Sequence, residues 1–146
     1  TWGIAPFGEG WVLSDWADNQ RRLVHVVDGA VVAQAMAPGR GQSFDVATSP
    51  DGTRVAVASS DGAWIWDGHS PPRHLAGPTS IGVAWTPHGP VVGGSDGHLW
   101  FWSTEGELLH RWALDSTPIS LATHGDVLAV TSNDGVYVLP LRVGVQ

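Results

Sequence analysis

Residues 44–67 read FDVATSPDGTRVAVASSDGAWIWD, which is three short runs rich in Val, Ala, Ile and Trp separated by two turns. Gly, Pro, Asp and Ser bound these runs, a pattern typical of short β-strands joined by tight connections. Both turns contain Asp-Gly, a pair that tolerates the positive φ values of hairpin turns. The stretch therefore predicts three antiparallel strands, a (44–48), b (55–59) and c (63–67), and a short run at 74–76 predicts a fourth strand, d.

The same pattern recurs along the whole chain. An alanine follows an aliphatic residue at positions 5, 47, 84 and 122, and a glycine comes three to five residues after each alanine. Further a strands are expected at 81–85 and 119–123, and further outer strands at 31–36, 108–114 and 141–145. The repeated alanines are thus 42, 37 and 38 residues apart, and a period of this length is the signature of a repeat architecture. It divides the chain into units at about 1–41, 42–78, 79–116 and 117–146.

The second unit resembles a blade of a WD-repeat β-propeller. Its a–b turn is Ser49-Pro50-Asp51-Gly52-Thr53, its b–c turn is Ser60-Asp61-Gly62, and Trp66-Asp67 closes strand c. The resemblance implies an all-β fold, a β-propeller of four-stranded antiparallel blades with about four blades per chain.

The match to this family is uneven. The family's Gly-His pair before strand a is absent, and the closing Trp-Asp pair is complete only in the second unit. The family links a turn Asp to the strand-c Trp by hydrogen bonds. The resemblance therefore implies such links for Asp61 with Trp66 and for Asp96 with Trp102.

Four blades are few for a propeller of this kind. Two chains placed head to tail would make eight blades around a two-fold axis and would cover apolar flanks on the first and last blades. We therefore expect a ring-closing homodimer. A piece of a longer propeller and a self-closed four-blade ring are the alternatives.

Composition excludes several classes of protein. The net charge of −7 comes from seven Arg, no Lys and 14 acidic residues, which disfavours nucleic acid as a partner. The absence of Cys excludes disulfides and thiolate metal sites. No apolar run approaches the ~18 residues of a membrane helix, so no membrane partner is expected. We expect a cytoplasmic protein, and the lack of Lys with abundant Ala, Gly and Val favours a bacterial source.

No motif predicts an enzyme. Residues 93–97 read GGSDG and match a nucleophile elbow, but that motif needs a following helix and residues 99–102 continue as a strand. The seven His show no metal-ligand spacing, and the nearest group is Asp67, His69 and His74 in an exposed loop. We expect no catalytic residue, no metal and no cofactor.

Fold analogy places the binding site at the mouth that carries the d–a and b–c loops. These loops are polar and nearly uncharged, which suits a peptide or a small polar ligand better than a polyanion. The expected function is a non-catalytic interaction scaffold for a protein or peptide. A small-ligand or glycan-binding propeller, using a tryptophan near a turn such as Trp16, is the alternative. The predicted binding residues are Arg40, Gln42, Ser43, Thr79, Ser80, Ser116, Thr117, Asn19 and His98.

Overall fold

The computed structural model describes residues 3–17, 20–37, 43–114, 116–124 and 126–140, with the backbone alone at 16–17, 20–21, 37 and 43. These residues form fifteen β-strands and no helix. Nothing in the described part of the chain is therefore a helix long and apolar enough to cross a bilayer. The predicted all-β class is confirmed.

The strands form four antiparallel sheets, and within each sheet hydrogen-bonded neighbours follow one another in sequence. The first sheet contains β1 (Gly3–Phe7), β2 (Gly10–Ala17), β3 (Gln20–Val27) and β4 (Ala30–Ala37). The second contains β5 (Ser43–Thr48), β6 (Val55–Ser59), β7 (Gly62–Trp66) and β8 (Arg73–Leu75). The third contains β9 (Ser80–Thr86), β10 (Gly89–Gly94), β11 (His98–Trp102) and β12 (Leu108–Ala113). The fourth contains β13 (Pro118–His124), β14 (Val127–Ser132) and β15 (Gly135–Pro140).

The expected outer strand of the fourth sheet, at 141–145, lies outside the described residues. Elsewhere the predicted strand positions agree with the structure to within one residue at each end. Residues 93–94 end β10, residues 95–97 form a turn, and β11 follows where a nucleophile elbow would need a helix.

The first strand of each sheet lies beside the first strand of the next, so that β1, β5, β9 and β13 follow one another around a common axis. The four sheets are therefore blades of a β-propeller. One contact recurs at the junctions between blades. The residue two positions before the repeated alanine of one blade contacts the residue immediately before the repeated alanine of the next blade. A Cβ on Gly3 would lie 3.3 Å from Val46 Cβ, and the Asp45 carboxylate accepts a hydrogen bond from Val83 N at 3.1 Å.

Hydrogen bonds from side chains reinforce these inner contacts. In each blade after the first, the residue that follows the repeated alanine donates to a carbonyl of the preceding inner strand. Thr48 Oγ1 donates to the Pro6 carbonyl, Trp85 Nε1 to the Ala47 carbonyl at 2.9 Å, and Thr123 Oγ1 to the Trp85 carbonyl at 2.6 Å. Neighbouring blades are thus held in one register.

Each blade has two apolar faces, which we call the front face, toward the preceding blade, and the back face, toward the following one. The core between the second and third blades shows the arrangement, because small side chains of one blade receive large ones of the next. The back face of the second blade supplies Ala47, Ala56, Ala58, Ala63 and Ile65, and the front face of the third supplies Val83, Trp85, Val92, Trp100 and Trp102.

The aspartate–tryptophan links differ from the expected ones. Asp61 Oδ1 accepts hydrogen bonds from Ser59 Oγ and, at 3.4 Å, from Trp64 Nε1 rather than from Trp66. In the third blade Asp96 bonds Trp100, also at 3.4 Å, rather than Trp102. The tight turn places the nearer tryptophan of strand c over the aspartate, and the farther one packs between blades.

Gly89, in the a–b turn of the third blade, gives a stability prediction. It has φ +152°, and a Cβ there would lie 1.9 Å from the Trp102 carbonyl oxygen. Gly89→Ala should therefore lower the free energy of unfolding by about 3 kcal/mol or more, through strain and a backbone clash. Gly29→Ala is the matched control. Gly29 has φ +77°, but a Cβ there would meet nothing within 4 Å, so strain alone costs about 1–2 kcal/mol. Urea unfolding measures both, and equal losses would contradict the close approach of Gly89 to the Trp102 backbone.

Candidate functional site

Some residues of the predicted mouth form contacts between neighbouring blades. Thr79 Oγ1 donates to the Ser60 carbonyl at 2.8 Å, and the Thr79 carbonyl accepts from Ser95 N at 2.8 Å. Thr79 thus joins the b–c turns of the second and third blades. Ser80 is 3% exposed and donates to the Pro78 carbonyl at 3.3 Å. The structure gives Thr79 and Ser80 these structural contacts.

The other predicted mouth residues divide into two groups. His98 is half-buried, with its backbone N 3.0 Å from Asp96 Oδ1 and its ring Nδ1 3.4 Å from Asp96 Oδ2. Thr117 is half-buried, and Ser116 Oγ is buried with no hydrogen-bond partner among the described residues. Three predicted residues lie outside the described part of the chain: Asn19, Arg40 and Gln42. Only the backbone of Ser43 is described.

A concave feature lies at the opposite end of the blades, where the a–b and c–d turns meet. We call it the interblade cleft. It separates the first and second blades and has a volume of about 600 Å³. Its lining is mostly apolar or glycine. The lining residues are Phe7, Gly8, His25, Val32, Ala33, Gly52, Thr53, Arg54, Asp67, Gly68 and His69.

Phe7 forms the floor of the interblade cleft. It is 6% exposed, its ring meets the His25 ring edge-on at 4.8 Å, and it stacks on Trp66 at 6.3 Å. His25 Nε2 lies 3.1 Å from the Phe7 carbonyl oxygen, which fixes the imidazole in place. The Phe7 ring is thus held between the His25 and Trp66 rings.

A β-bulge shapes one wall of the cleft. His25 pairs with Ala33 and Val26 pairs with Val31, so Val32 is the extra residue. Bulges redirect side chains, and Val32 lines the cleft while 57% exposed.

Hydrogen bonds hold Asp67 on the opposite wall in its charged form. Its Oδ1 accepts from His69 N at 2.8 Å and Ser70 N at 2.7 Å, and these backbone bonds lower the pKa of the Asp67 carboxyl. The nearby Arg54 guanidinium lies 3.9 Å from Glu105 Oε1 of the third blade. The cleft thus combines an apolar floor with one fixed carboxylate, Asp67, and one guanidinium, Arg54.

The interblade cleft was not predicted from the sequence, although it contains part of the group of Asp67, His69 and His74 noted there. Asp67 and His69 line the cleft, whereas His74 lies elsewhere. Its ring is tilted against the Trp64 ring at a centroid distance of 4.5 Å, and its Nε2 is 2.7 Å from the Asp61 carbonyl oxygen. In the described part of the chain no three His, Cys, Asp or Glu side chains converge as a metal site would require.

The two end blades leave apolar faces open. Ile4 and Trp11, on the front face of the first blade, are 58% and 52% exposed. Val136 and Val138, on the back face of the fourth blade, are 68% and 65% exposed. Among the described residues the first and fourth blades make no extensive strand contact with each other, so these two faces have no neighbouring blade within the described part of the chain.

Comparisons with known proteins identify the fold and no family. No family model matches the sequence. No curated protein matches it either. A solved structure, titled "Structure of Dos1 propeller", is similar with a TM-score of 0.76 and 18% sequence identity. The similarity covers 95% of this chain and 41% of that chain, so this chain spans about two fifths of that propeller's length. At this identity the likeness confirms the β-propeller fold alone.

The a–b turn beside the cleft gives a pH prediction. Asp51 accepts hydrogen bonds from Ser49 Oγ and from Thr53, which lower its pKa to about 2. A depressed carboxyl pKa adds stability above the unfolded-state value of about 3.9, and that stability is lost as pH falls toward the folded pKa. Asp51→Asn should therefore melt below wild type at pH 6, with the difference shrinking between about pH 4 and pH 2.

Thermal unfolding across pH measures this effect. Ser49→Ala removes one donor to the carboxylate and should give a smaller loss with the same pH dependence. A difference between wild type and Asp51→Asn that stays constant down to pH 2 would contradict the assigned hydrogen bonds.

Proposed function

We propose that the chain is a non-catalytic, WD-repeat-like propeller module that closes an eight-bladed ring with a second copy of itself and serves as a scaffold for a protein or peptide. The observation that carries the proposal is the match between the two open faces and the faces that are buried between neighbouring blades of the same chain.

The open back face of the fourth blade is built like the buried back face of the second. Strand pairing places Ala122 opposite Ala129 and Ala129 opposite Val138, just as Ala47 lies opposite Ala56 and Ala56 opposite Ile65. Residues paired across antiparallel strands share a face. The corresponding positions include Ser120 with Asp45, Ala122 with Ala47, Ala129 with Ala56, Thr131 with Ala58, Val136 with Ala63, and Val138 with Ile65.

The open front face of the first blade likewise matches the buried front face of the second. Pairing relates Ile4 to Leu13 and Trp11 to Val26, as it relates Val46 to Val57 and Val55 to Trp66. In the second blade these four positions are at most 7% exposed, because the first blade covers them. The first blade lacks only such a neighbour.

A second copy supplies the missing neighbours in the right order. The back face of one chain's fourth blade would meet the front face of the other's first blade, and the reverse contact would close the ring about a two-fold axis. At each seam Ser120 would lie against Ile4, in the positions that Asp45 and Val83 occupy within the chain. The bidentate pair of Asp15 and Arg22, with atoms 2.9 and 2.7 Å apart, would form part of a polar rim.

The carboxylates support a structural rather than a catalytic assignment. Asp51, Asp61, Asp67 and Asp96 each accept hydrogen bonds from their own turns. Such groups hold a turn in shape. The cytoplasmic location and bacterial source expected from the sequence stay predictions.

Light scattering across a dilution series tests ring closure. We expect wild type at twice 15.4 kDa. Val138→Asp places a charge in the seam and should shift the mass to 15.4 kDa while the circular dichroism stays unchanged, because Val138 is 65% exposed in one chain. Leu108→Asp is the control: Leu108 is 45% exposed on the outer strand of the third blade, away from either open face, and the variant should remain a dimer.

Two outcomes would contradict the proposal. A stable, non-aggregating wild-type monomer at 15.4 kDa would show that the faces need no second copy. An aggregating wild type that forms no discrete dimer would favour a piece of a longer propeller, whose own blades cover the faces.

A further inference from the structure

We propose that the interblade cleft is a docking site for an extended peptide segment that presents an apolar side chain next to a basic residue. The inference rests on the proposed scaffold function for the class of its partner, and it does not depend on ring closure.

The size and lining of the interblade cleft favour an apolar anchor. Its volume of about 600 Å³ is within the range of sites that enclose a ligand or several side chains. The bulged Val32 is 57% exposed and lines the cleft together with Phe7. An inserted apolar side chain would remove this surface from water, which is the main favourable contribution to such contacts.

Glycines keep the cleft open. Gly8, Gly52 and Gly68 all line it with φ between +55° and +86°, a region that favours glycine. A Cβ on Gly68 would lie 3.2 Å from the Phe7 ring, so a side chain there would crowd the floor. The cleft is thus open because its turns have glycine at these positions.

The charge around the cleft selects the residue beside the anchor. Asp67 Oδ1 accepts from the backbone N–H groups of His69 and Ser70, which fixes the carboxylate on the wall. The lining also contains one guanidinium, that of Arg54, which lies 3.9 Å from Glu105 of the next blade. The turns at this end add the exposed acids Glu9, Asp28 and Asp51. A Lys or Arg beside the anchor would be attracted to this rim, and an acidic segment would be repelled.

The test uses the full chain and a library of random heptapeptides displayed on phage. Selection on the immobilised protein should enrich an aromatic or large aliphatic residue adjacent to Lys or Arg. The enriched sequence is then synthesised with a fluorescein label, and its affinity is measured by fluorescence polarisation.

Three variants locate the binding. Val32→Lys puts a positive charge in the cleft at an exposed position and should weaken binding at least about tenfold. Asp67→Asn keeps an acceptor oxygen for the loop but removes the charge, and should weaken binding by about threefold to tenfold. Leu108→Lys adds the same charge as Val32→Lys at an exposed site on the third blade and should leave the affinity unchanged.

Each other result overturns the proposal in a distinguishable way. Enriched peptides that are acidic, or that lack an apolar residue, would refute the assigned chemistry. Peptides whose affinity is unchanged in Val32→Lys bind elsewhere, which would refute this site and leave the scaffold function standing. No enrichment at all would refute both the site and the peptide-scaffold function, whereas ring closure is judged separately from the molar mass.

Discussion

The structure depends on the packing of the apolar back face of each blade onto the apolar front face of the next. A four-stranded sheet of this size buries little by itself, so each blade is stable only when neighbours cover both of its faces. Inside the chain three junctions, each with its own apolar core, cover both faces of the second and third blades. At the two ends this condition is unmet, which is why Trp11 and Val138 are exposed while their counterparts Val55 and Ile65 are buried.

The inner strands convert this packing into a defined register. Small residues such as Gly3 and Gly82 let consecutive inner strands approach closely, since a Cβ on either would come within 3 Å of the next blade. The donors Thr48, Trp85 and Thr123 then fix each strand to its neighbour. The first blade has Pro6 at the corresponding position, and a proline side chain has no hydrogen to donate. A seam formed by that blade would rely on apolar packing more than the internal junctions do.

Much of the fold could be predicted from the sequence because it is local and repeated. The Asp-Gly turns and the recurring alanines located the strands, and the near-37-residue period gave the number of sheets. The partner of Asp61 was mispredicted because Trp64 and Trp66 share a face, and the hairpin geometry decides which of them reaches the turn. The interblade cleft could not be predicted, since it needs the bulge at Val32 and brings Phe7 beside Gly68, about 60 residues away. The contacts of Thr79 are equally non-local.

A disulfide across the seam tests ring closure most directly. The chain has no cysteine, so Ile4→Cys with Ser120→Cys introduces a single kind of pair. The internal counterpart, a Cβ on Gly3 facing Val46 Cβ at 3.3 Å, is close to the separation of about 3.5–4.5 Å that a disulfide needs. After oxidation, mass spectrometry of the denatured, unreduced double variant should show a covalent dimer of twice 15.4 kDa, while each single variant stays a monomer. A monomeric double variant, with or without an internal disulfide, or a ladder of longer polymers would contradict the closed ring of two half-propellers.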